Sequence, residues 1–254
     1  MSDTKHENYE ILNLIGYGLA KFNMDFVKAF GFSTKSAFFQ HFVQKNIAAT
    51  TGVVKNRQDL FDPFFDNGRK GWWQKGTTYL HRKTFIDSLF GTLHATEFAD
   101  VVKLYIRSKF EVTDELLTIG SPVLKSKFKQ LQITGLEAEL YFIHNYQEID
   151  LFKEGLLEDA RLFGDGYDFQ IQIPSRYILA EVKGLRSVYG SIRLTKNEFL
   201  KAQEYQQDYS LVVVNNLNDV PKMTVIFDPI SQLTLKEQVV THQQITYHSE
   251  SMNW

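Results

Sequence analysis

Residues 166–184 read GYDFQIQIPSRYILAEVKG, and their pattern predicts a two-stranded β-hairpin. The first half has the period-two alternation of a half-buried strand, with apolar residues at Tyr167, Phe169, Ile171 and Ile173. The second half repeats the alternation with Ile178, Ala180 and Val182. The segment 174–176 between them, Pro-Ser-Arg, lacks the pattern and predicts the turn. Each strand therefore has one apolar face and one polar face.

The polar face of this hairpin is predicted to gather three ionisable side chains. A one-residue slip would send a whole apolar set to the wrong side of the sheet, so the numbers of opposed residues must sum to an odd number. A sum near 349 or 351 places Asp168 opposite Glu181 or Lys183. Directly opposed side chains in an antiparallel pair lie about 5 Å apart at Cβ. We therefore expect two carboxylates and one ammonium group to converge.

These three residues suit the chemistry of a hard divalent cation. Mg²⁺ takes oxygen ligands, often one or two carboxylates together with waters and substrate phosphate. Asp168 and Glu181 would supply the carboxylates, and Mn²⁺ is expected to substitute for Mg²⁺. Lys183 would stabilise charge at a scissile phosphate or help to deprotonate an attacking water. The alternative is an exposed hairpin whose charges form an ordinary surface ion pair, which contributes little to stability.

The segment 134–146 predicts a helix that carries a further carboxylate. On a helical wheel its apolar residues form one wide arc, made of Leu136, Leu140, Phe142, Ile143 and Tyr146. Glu139 falls inside that arc, whereas Glu137 is predicted to point away from it. A carboxylate on a core-facing stripe is costly unless it is paired or binds a metal, so Glu139 is the candidate site residue. The alternative is that Glu139 reaches past its neighbours to solvent.

The elements after the hairpin are predicted from a capping signal and an apolar run. Thr195 and Glu198 have the spacing of a capping box, so a helix should begin there and end near Gln206. Residues 210–215, SLVVVN, predict a buried strand, and residues 223–229 predict another. The expected order from residue 134 is helix, strand, strand, helix, strand.

This order resembles the PD-(D/E)xK restriction-endonuclease-like superfamily, with Glu139 in the helix, Asp168 in the first strand and the segment 181–183, Glu-Val-Lys, in the second. A narrower resemblance covers roughly residues 130–230. The segments 166–168, 181–184 and 194–198 and the strand 209–214 are similar to the domain family that takes its name from the carboxy-terminal part of the plant protein NO VEIN. That domain also occurs in bacterial restriction and defence proteins.

The resemblance implies a restriction-endonuclease-like mixed β-sheet flanked by helices, of the α+β or α/β class. It implies a Mg²⁺-dependent endonuclease acting on double-stranded DNA in restriction or other defence. Asp168 and Glu181 would ligate the metal, Lys183 would be the catalytic lysine, and Glu139 would assist the metal site. A homodimer is expected by analogy, since cutting both strands is easiest with two active sites.

Two departures from the superfamily pattern are present. Tyr167 stands where the nominal motif has proline, which the narrower family tolerates. The segment 203–209, QEYQQDY, lacks the Gln-x-x-x-Tyr spacing of the recombination-exonuclease branch, which favours endonucleolytic cutting over processive end-resection. Two competing hypotheses stay open: a nucleic-acid-binding adaptor that keeps the fold but cuts nothing, and a nuclease acting only on RNA or modified DNA.

Composition limits the other possibilities. The chain has 254 residues, of which 43% are hydrophobic, and this length allows one large domain or two modest ones. We predict two: a helical recognition domain over residues 1–122 and a nuclease-like domain over residues 123–254. The boundary follows the Gly-Ser-Pro break at residues 120–122. Zero cysteines exclude disulfides, thiol catalysis and thiolate zinc sites. No secretory signal or spanning apolar run is evident, so a cytoplasmic protein is expected.

A local basic region is the candidate for DNA contact, because the net charge of −2 gives no global basic field. Between Lys55 and Lys83 there are seven Lys or Arg against three Asp, interleaved with glycines and aromatics. Such a mixture suits phosphate contacts and stacking on bases. The predicted DNA-binding residues are Arg57, Arg69, Lys70, Lys75 and Arg82. The alternative is a solvated loop with Trp72 and Trp73 packed beneath it.

The rest of the chain adds helices and one edge strand to the prediction. Amphipathic stripes predict helices over residues 8–50 and 95–109. Gly16-Tyr17-Gly18 lies inside the first stripe and does not follow a strand, so a nucleotide-binding loop is not expected there. An edge strand is predicted around residues 244–247.

Overall fold

The computed structural model describes residues 8–110, 122–132 and 134–239, together with residues 247 and 249. The predicted edge strand around residues 244–247 therefore lies almost wholly outside the described residues. The segment 111–121, which contains most of the predicted domain break, also lies outside the described residues, as do the chain ends.

The amino-terminal part is helical. Its helices are α1 (Tyr9–Phe22), α2 (Met24–Ala29), α3 (Lys35–Gln44), α4 (Thr51–Phe61), α5 (Leu80–Phe90) and α6 (Ala95–Phe110). Thr34 and Thr50 cap α3 and α4 by accepting hydrogen bonds from the backbone N–H groups of Ala37 and Val53. The apolar stripes meet in one core rich in aromatic side chains, which includes the fully buried Tyr17, Phe26, Phe38, Phe42 and Phe98.

Gly16-Tyr17-Gly18 lies in the middle of α1, as the helical stripe predicted. A Cβ atom added at Gly16 would lie 2.5 Å from the carbonyl oxygen of Arg57 on α4. At Gly18 it would lie 2.7 Å from the ring of Phe26. Both glycines therefore allow close packing of helices.

The carboxy-terminal part contains a five-stranded mixed sheet flanked by helices. After α7 (Pro122–Gln132) and α8 (Thr134–Asn145) come β1 (Leu156–Asp159), β2 (Phe169–Ile173), β3 (Arg176–Gly184), α9 (Lys196–Tyr205), β4 (Tyr209–Asn215), β5 (Lys222–Phe227) and α10 (Pro229–Gln232). The strand order is β1-β2-β3-β4-β5. β3 and β4 are parallel and are joined through α9, whereas the other neighbours are antiparallel. The predicted fold class is confirmed.

The predicted register of the hairpin is also confirmed. Phe169 pairs with Ala180, and Ile171 pairs with Ile178, so opposed residue numbers sum to 349. Strand β1 was not predicted. Its residues read LLED, Leu156 is 62% exposed, and no apolar alternation marks the strand.

The two faces of the sheet carry different helices. One face packs Phe169, Ile171 and Val182 against Phe142 of α8. On the other face Leu179 and Tyr209 pack with Ala202 of α9. Since successive side chains of a strand point to opposite faces, Glu181 and Lys183 share the face of Leu179, towards α9.

Helix α8 belongs to both cores. Ala138 and Phe142 lie in the sheet core, whereas Leu136 and Leu140 pack against the helical core. The helical part and the sheet are therefore in direct contact through this helix, and the division at residues 122/123 stays a prediction. Within the described residues, no helix combines the length and the apolar character needed to cross a membrane.

Candidate active site

Asp168 is held at the point where the hairpin pairing begins. Its backbone N–H donates to the carbonyl oxygen of Ala180 at 3.0 Å, and its carboxylate Oδ2 accepts the Val182 N–H at 2.8 Å. The side chain thus takes the place of a main-chain acceptor for β3. Because both bonds go to β3, the carboxylate of Asp168 is fixed next to Glu181, the residue between these two partners.

Glu181 and Lys183 are joined in an ion pair on the same face of β3. Glu181 is only 4% exposed. The Lys183 Nζ atom lies 2.5 Å from Glu181 Oε1 and 2.8 Å from Glu198 Oε2 on α9. The ammonium group therefore bridges two carboxylates, one from a strand and one from a helix.

Burial dominates the electrostatics of this cluster. It raises the pKa of Glu181 to about 8, with the nearby charge of Asp168 as the second cause. Burial also raises the pKa of Asp168 to about 6, and the charge of Glu139 adds to this while the Val182 N–H opposes it. For Lys183, burial lowers the pKa, but Glu181 and Glu198 outweigh it and the net pKa is raised. The site is therefore a place where negative charge is costly and a cation is favoured.

Glu198 belongs to the site, although the sequence predicted it only as a helix-capping residue. The capping box was predicted and is confirmed, since Thr195 Oγ1 accepts the Glu198 N–H at 3.3 Å and Glu198 Oε2 accepts the Thr195 N–H at 2.9 Å. The same oxygen accepts a hydrogen bond from the Lys183 ammonium group. The sequence predicted Glu198 only as the capping residue of this helix, and its contact with Lys183 depends on how α9 packs on the sheet.

The predicted directions of the two glutamates on α8 need correction. Glu137 was expected to point away from the core, but it is 0% exposed. It accepts a hydrogen bond from Tyr9 Oη at 2.8 Å and forms an ion pair with Arg186. The wheel assumed a single buried face, whereas α8 is covered by the helical part on one side and by the sheet on the other.

Glu139 lies at the margin of the site. Its side chain is 21% exposed, and its Oε2 atom lies 2.8 Å from Arg161 Nη1. Arg161 also pairs with Asp159 at the end of β1. The negative charge of Glu139 is one of the causes that raise the pKa of Asp168.

The donor set of two carboxylates fits a hard divalent cation such as Mg²⁺ or Mn²⁺. Within the described residues, no group of three or more His, Asp or Glu side chains is arranged to hold a metal ion. Asp168 and Glu181 form a smaller set of two carboxylates, which suffices for Mg²⁺ when water and a substrate phosphate complete the shell. One oxygen of each is oriented, by the Val182 N–H and by Lys183. Asp168 and Glu181 are the residues that would hold such a cation.

The predicted DNA-binding residues do not form a single surface. Lys70 and Lys75 are exposed. Arg69 is engaged by two carboxylates, with Nη2 2.7 Å from Asp59 and Nε 2.8 Å from Asp62.

The two remaining arginines are turned inward. Arg82 is 2% exposed and donates to the backbone carbonyls of Asn218 and Asp219 in the β4–β5 turn. Arg57 donates to Asn13 Oδ1 at 3.1 Å. Burial lowers the pKa of Arg57 to about 10, and the charge of Arg82 is the second cause. The expected surface contact of Arg82 with DNA therefore does not agree with its position.

The aromatic residues of the basic region divide between the two alternatives. Trp72 packs against the helical core, as the solvated-loop alternative expected. Trp73 is 65% exposed and remains available for stacking.

Comparison with known proteins supports the narrower resemblance. The family model described as Protein NO VEIN, C-terminal matches residues 138–226. The match extends from α8 to β5 and includes Glu139, Asp168, Glu181, Lys183 and Glu198. The predicted similarity to this domain is confirmed, whereas the wider superfamily stays a prediction. Neither the curated proteins nor the solved structures gave a significant match.

Proposed function

We propose that the region matching the NO VEIN carboxy-terminal family, residues 138–226, is the catalytic part of a Mg²⁺-dependent DNA endonuclease. The observation that carries the proposal is the cluster of Asp168 and Glu181, two largely buried carboxylates with raised pKa values, beside the ammonium of Lys183. Buried carboxylates are costly unless paired or metal-bound, and one ammonium cannot neutralise both of them together with Glu198. A divalent cation would supply the missing positive charge.

The residues of the chain would divide the reaction between them. Asp168 and Glu181 would hold Mg²⁺, which supplies charge neutralisation at the phosphate and orients the attacking water. Lys183 would donate a hydrogen bond to a non-bridging phosphate oxygen, where negative charge develops. Because the pKa of Lys183 is raised, its amine stays protonated, which favours charge stabilisation over abstraction of a proton from water.

Glu198 would act as a positioning residue for Lys183. It is fixed by the capping box, so its Oε2 atom holds the ammonium on the α9 side of the sheet. Glu139 would raise the negative potential at Asp168 and so strengthen metal binding, in line with its effect on the pKa of Asp168.

The adaptor hypothesis has one observation in its favour. In the structure Lys183 pairs with both Glu181 and Glu198, so these residues have ion-pair partners within the protein and could serve a structural role. Such a protein would bind nucleic acid and cut nothing. A role in restriction or defence and a homodimer are further parts of the proposal that rest on the resemblance.

The test is incubation with supercoiled plasmid and Mg²⁺. We expect nicked or linear DNA from the wild-type chain and from Lys222→Ala, an exposed control on β5. Asp168→Ala and Lys183→Ala should leave the plasmid intact. Parallel incubations with methylated plasmid and with RNA would identify a nuclease that cuts only modified DNA or only RNA. If no substrate is cut under any of these conditions, the adaptor hypothesis replaces the nuclease.

A further inference from the structure

A cleft lies between the helical part and the sheet, at the carboxyl end of β4. Its volume is about 470 Å³. Its lining includes Arg57, Trp72, Tyr79 and Arg82 from the helical part, and Asn216 and Asp219 from the segment after β4. Pockets of about 300–1,000 Å³ are typical of small-ligand sites.

The cleft contains two arginines without a carboxylate ion pair. Within the described part of the chain, neither Arg57 nor Arg82 has a carboxylate oxygen within ion-pair distance, although Arg69 nearby has two such partners. Arg82 is 2% exposed, and its Nε atom has no hydrogen-bond partner in the described structure. That Nε atom is itself enclosed by the protein, and Nη2 of Arg82 already donates to two backbone carbonyls. Arg82 therefore contributes positive charge to the cleft, and the partly exposed Arg57 is the arginine that can contact a ligand.

The charge of the cleft favours an anion of low charge. Asp219 is the one carboxylate among the lining residues, and it accepts a hydrogen bond from Tyr79 Oη at 3.4 Å. Two guanidinium groups against one carboxylate leave a net positive charge. Each guanidinium places two or more N–H donors in a planar fork, a geometry that matches phosphate.

The other lining groups suit a planar ring with polar edges. Trp72 is partly exposed and offers an indole face next to Tyr79, with ring centroids 6.2 Å apart. Arg82 already lies over the Tyr79 ring, 4.7 Å from its centroid, so Trp72 is the aromatic surface left for a ligand. Asn56 and Asn216 bring side-chain amides, the groups that pair with the edges of nucleobases.

We propose that this cleft binds one nucleoside monophosphate unit, with its phosphate on Arg57, beside the positive charge of Arg82, and its base against Trp72. The cleft is near the candidate active site. Val213 pairs with Lys183, and Asn216 follows Val213 by three residues, which corresponds to about 10 Å of extended chain. The choice of a nucleotide over another anion rests on the proposed nucleic-acid function, but not on cleavage.

The unit has two possible sources, a free nucleotide and a nucleotide turned out of a strand. Calorimetric titration without divalent ions would use the deoxynucleoside and ribonucleoside 5′-monophosphates, with inorganic phosphate and unphosphorylated nucleosides as comparisons. A second series would compare a fully paired duplex with the same duplex carrying one unpaired nucleotide. Saturable binding of a monophosphate identifies the free source, and a preference for the unpaired nucleotide identifies the strand.

Two variants and a control locate the binding. Arg57→Gln removes one charge, and Asn56→Trp fills the mouth of the cleft from an exposed position of α4. We expect each to weaken binding at least tenfold, whereas Lys28→Gln, an exposed charge removed from α2, should change it less than twofold. Asn56→Trp keeps the test valid if Arg57→Gln fails to fold.

Three results would overturn the cleft proposal: no saturable binding in either series, binding of inorganic phosphate as tight as that of nucleotides, or binding that Asn56→Trp leaves unchanged. The plasmid assay is read separately. A chain that binds nucleotides in the cleft but cuts nothing keeps the cleft and loses the nuclease. A chain that cuts plasmid but binds no nucleotide in the cleft supports the nuclease and overturns the cleft proposal.

Discussion

Lys183 and Glu198 form an ion pair of 2.8 Å between β3 and the first turn of α9. The Glu198 oxygen in this pair also accepts the backbone N–H of Thr195, so one carboxylate both caps the helix and orients the lysine. The helix cap and the candidate catalytic lysine are thereby linked through a single side chain.

The two roles of Glu198 can be separated by substitution. Glu198→Gln keeps an oxygen for the Thr195 N–H but loses the charge that holds Lys183, so the free energy of unfolding should change little. Loss of about 1.4 kcal/mol of transition-state stabilisation would slow plasmid cleavage about tenfold. Thr195→Ala is the matched control: it should cost about 1 kcal/mol of stability and leave cleavage near the wild-type rate. Equal cleavage by Glu198→Gln and wild type would exclude the positioning role.

The carboxylates should make stability depend on pH and on Mg²⁺. The pKa values of Asp168 and Glu181 are raised in the folded state to about 6 and about 8. Their protonated forms therefore favour folding, and this contribution is complete below the ordinary carboxyl pKa and is lost as the pH rises through about 8. Without divalent ions, the free energy of unfolding should fall over this range.

Mg²⁺ should abolish that fall, because it takes the place of the protons. Urea titrations at several pH values, with and without Mg²⁺, would measure the effect. Glu181→Gln should flatten the metal-free curve and remove the response to Mg²⁺. A pH profile that is the same in wild type and Glu181→Gln would contradict the proposed electrostatics.

Glu137 should be essential for stability although it lies outside the active site. It is fully buried and is held by Tyr9 and Arg186. Glu137→Ala removes the buried carboxylate that pairs with Arg186 and should cost about 3–5 kcal/mol. Tyr9→Phe removes the hydroxyl that lies within hydrogen-bond distance of both Glu137 and the Leu217 carbonyl oxygen, and should cost about 1 kcal/mol.

The exposed pair Lys103 and Asp100 provides the comparison for Glu137. Asp100→Asn should leave chemical denaturation almost unchanged. If Glu137→Ala had the same free energy of unfolding as Asp100→Asn, the buried ion pair would contribute nothing measurable to the packing of the helical part on the sheet.

The exposed lysines of the basic region should contribute to DNA affinity without sequence preference. Lys70 and Lys75 are exposed, whereas Arg69 is engaged by Asp59 and Asp62. Lys70→Ala with Lys75→Ala should lower the slope of log K against log salt by about two, since each phosphate contact contributes about 0.9. Fluorescence anisotropy with a labelled duplex would measure it. An unchanged slope would place the phosphate contacts elsewhere.

The sequence predicted the sheet face of the site because burial requires opposed residue numbers of the hairpin to sum to an odd number, and both registers considered, 349 and 351, place Asp168 on that face. Phe169 and Ala180 pair as the alternation required, and this brings Asp168 to the same polar face as Glu181 and Lys183. The capping box at Thr195 was predicted for the same reason, because its spacing has a local physical cause. These are the elements for which neighbours in sequence determine the structure.

The sequence could not predict contacts made across the two parts of the chain. Glu137 pairs with Tyr9 over 128 residues, and Arg82 donates to Asn218 over 136 residues. Neither partner leaves a local signal, so Glu137 was given the wrong direction and Arg82 was placed on the surface. β1 was missed because its pairing with β2 defines it, and its own residues do not alternate.

The most direct test of the central claim is a crystal of the chain soaked in Mn²⁺, with the anomalous signal used to locate the ion. We predict one strong anomalous peak that lies about 2.1 Å, a metal-ligand distance, from oxygens of both Asp168 and Glu181. Crystals of Asp168→Ala should lack this peak. A Mn²⁺ ion bound elsewhere, or full occupancy in Asp168→Ala crystals, would contradict it.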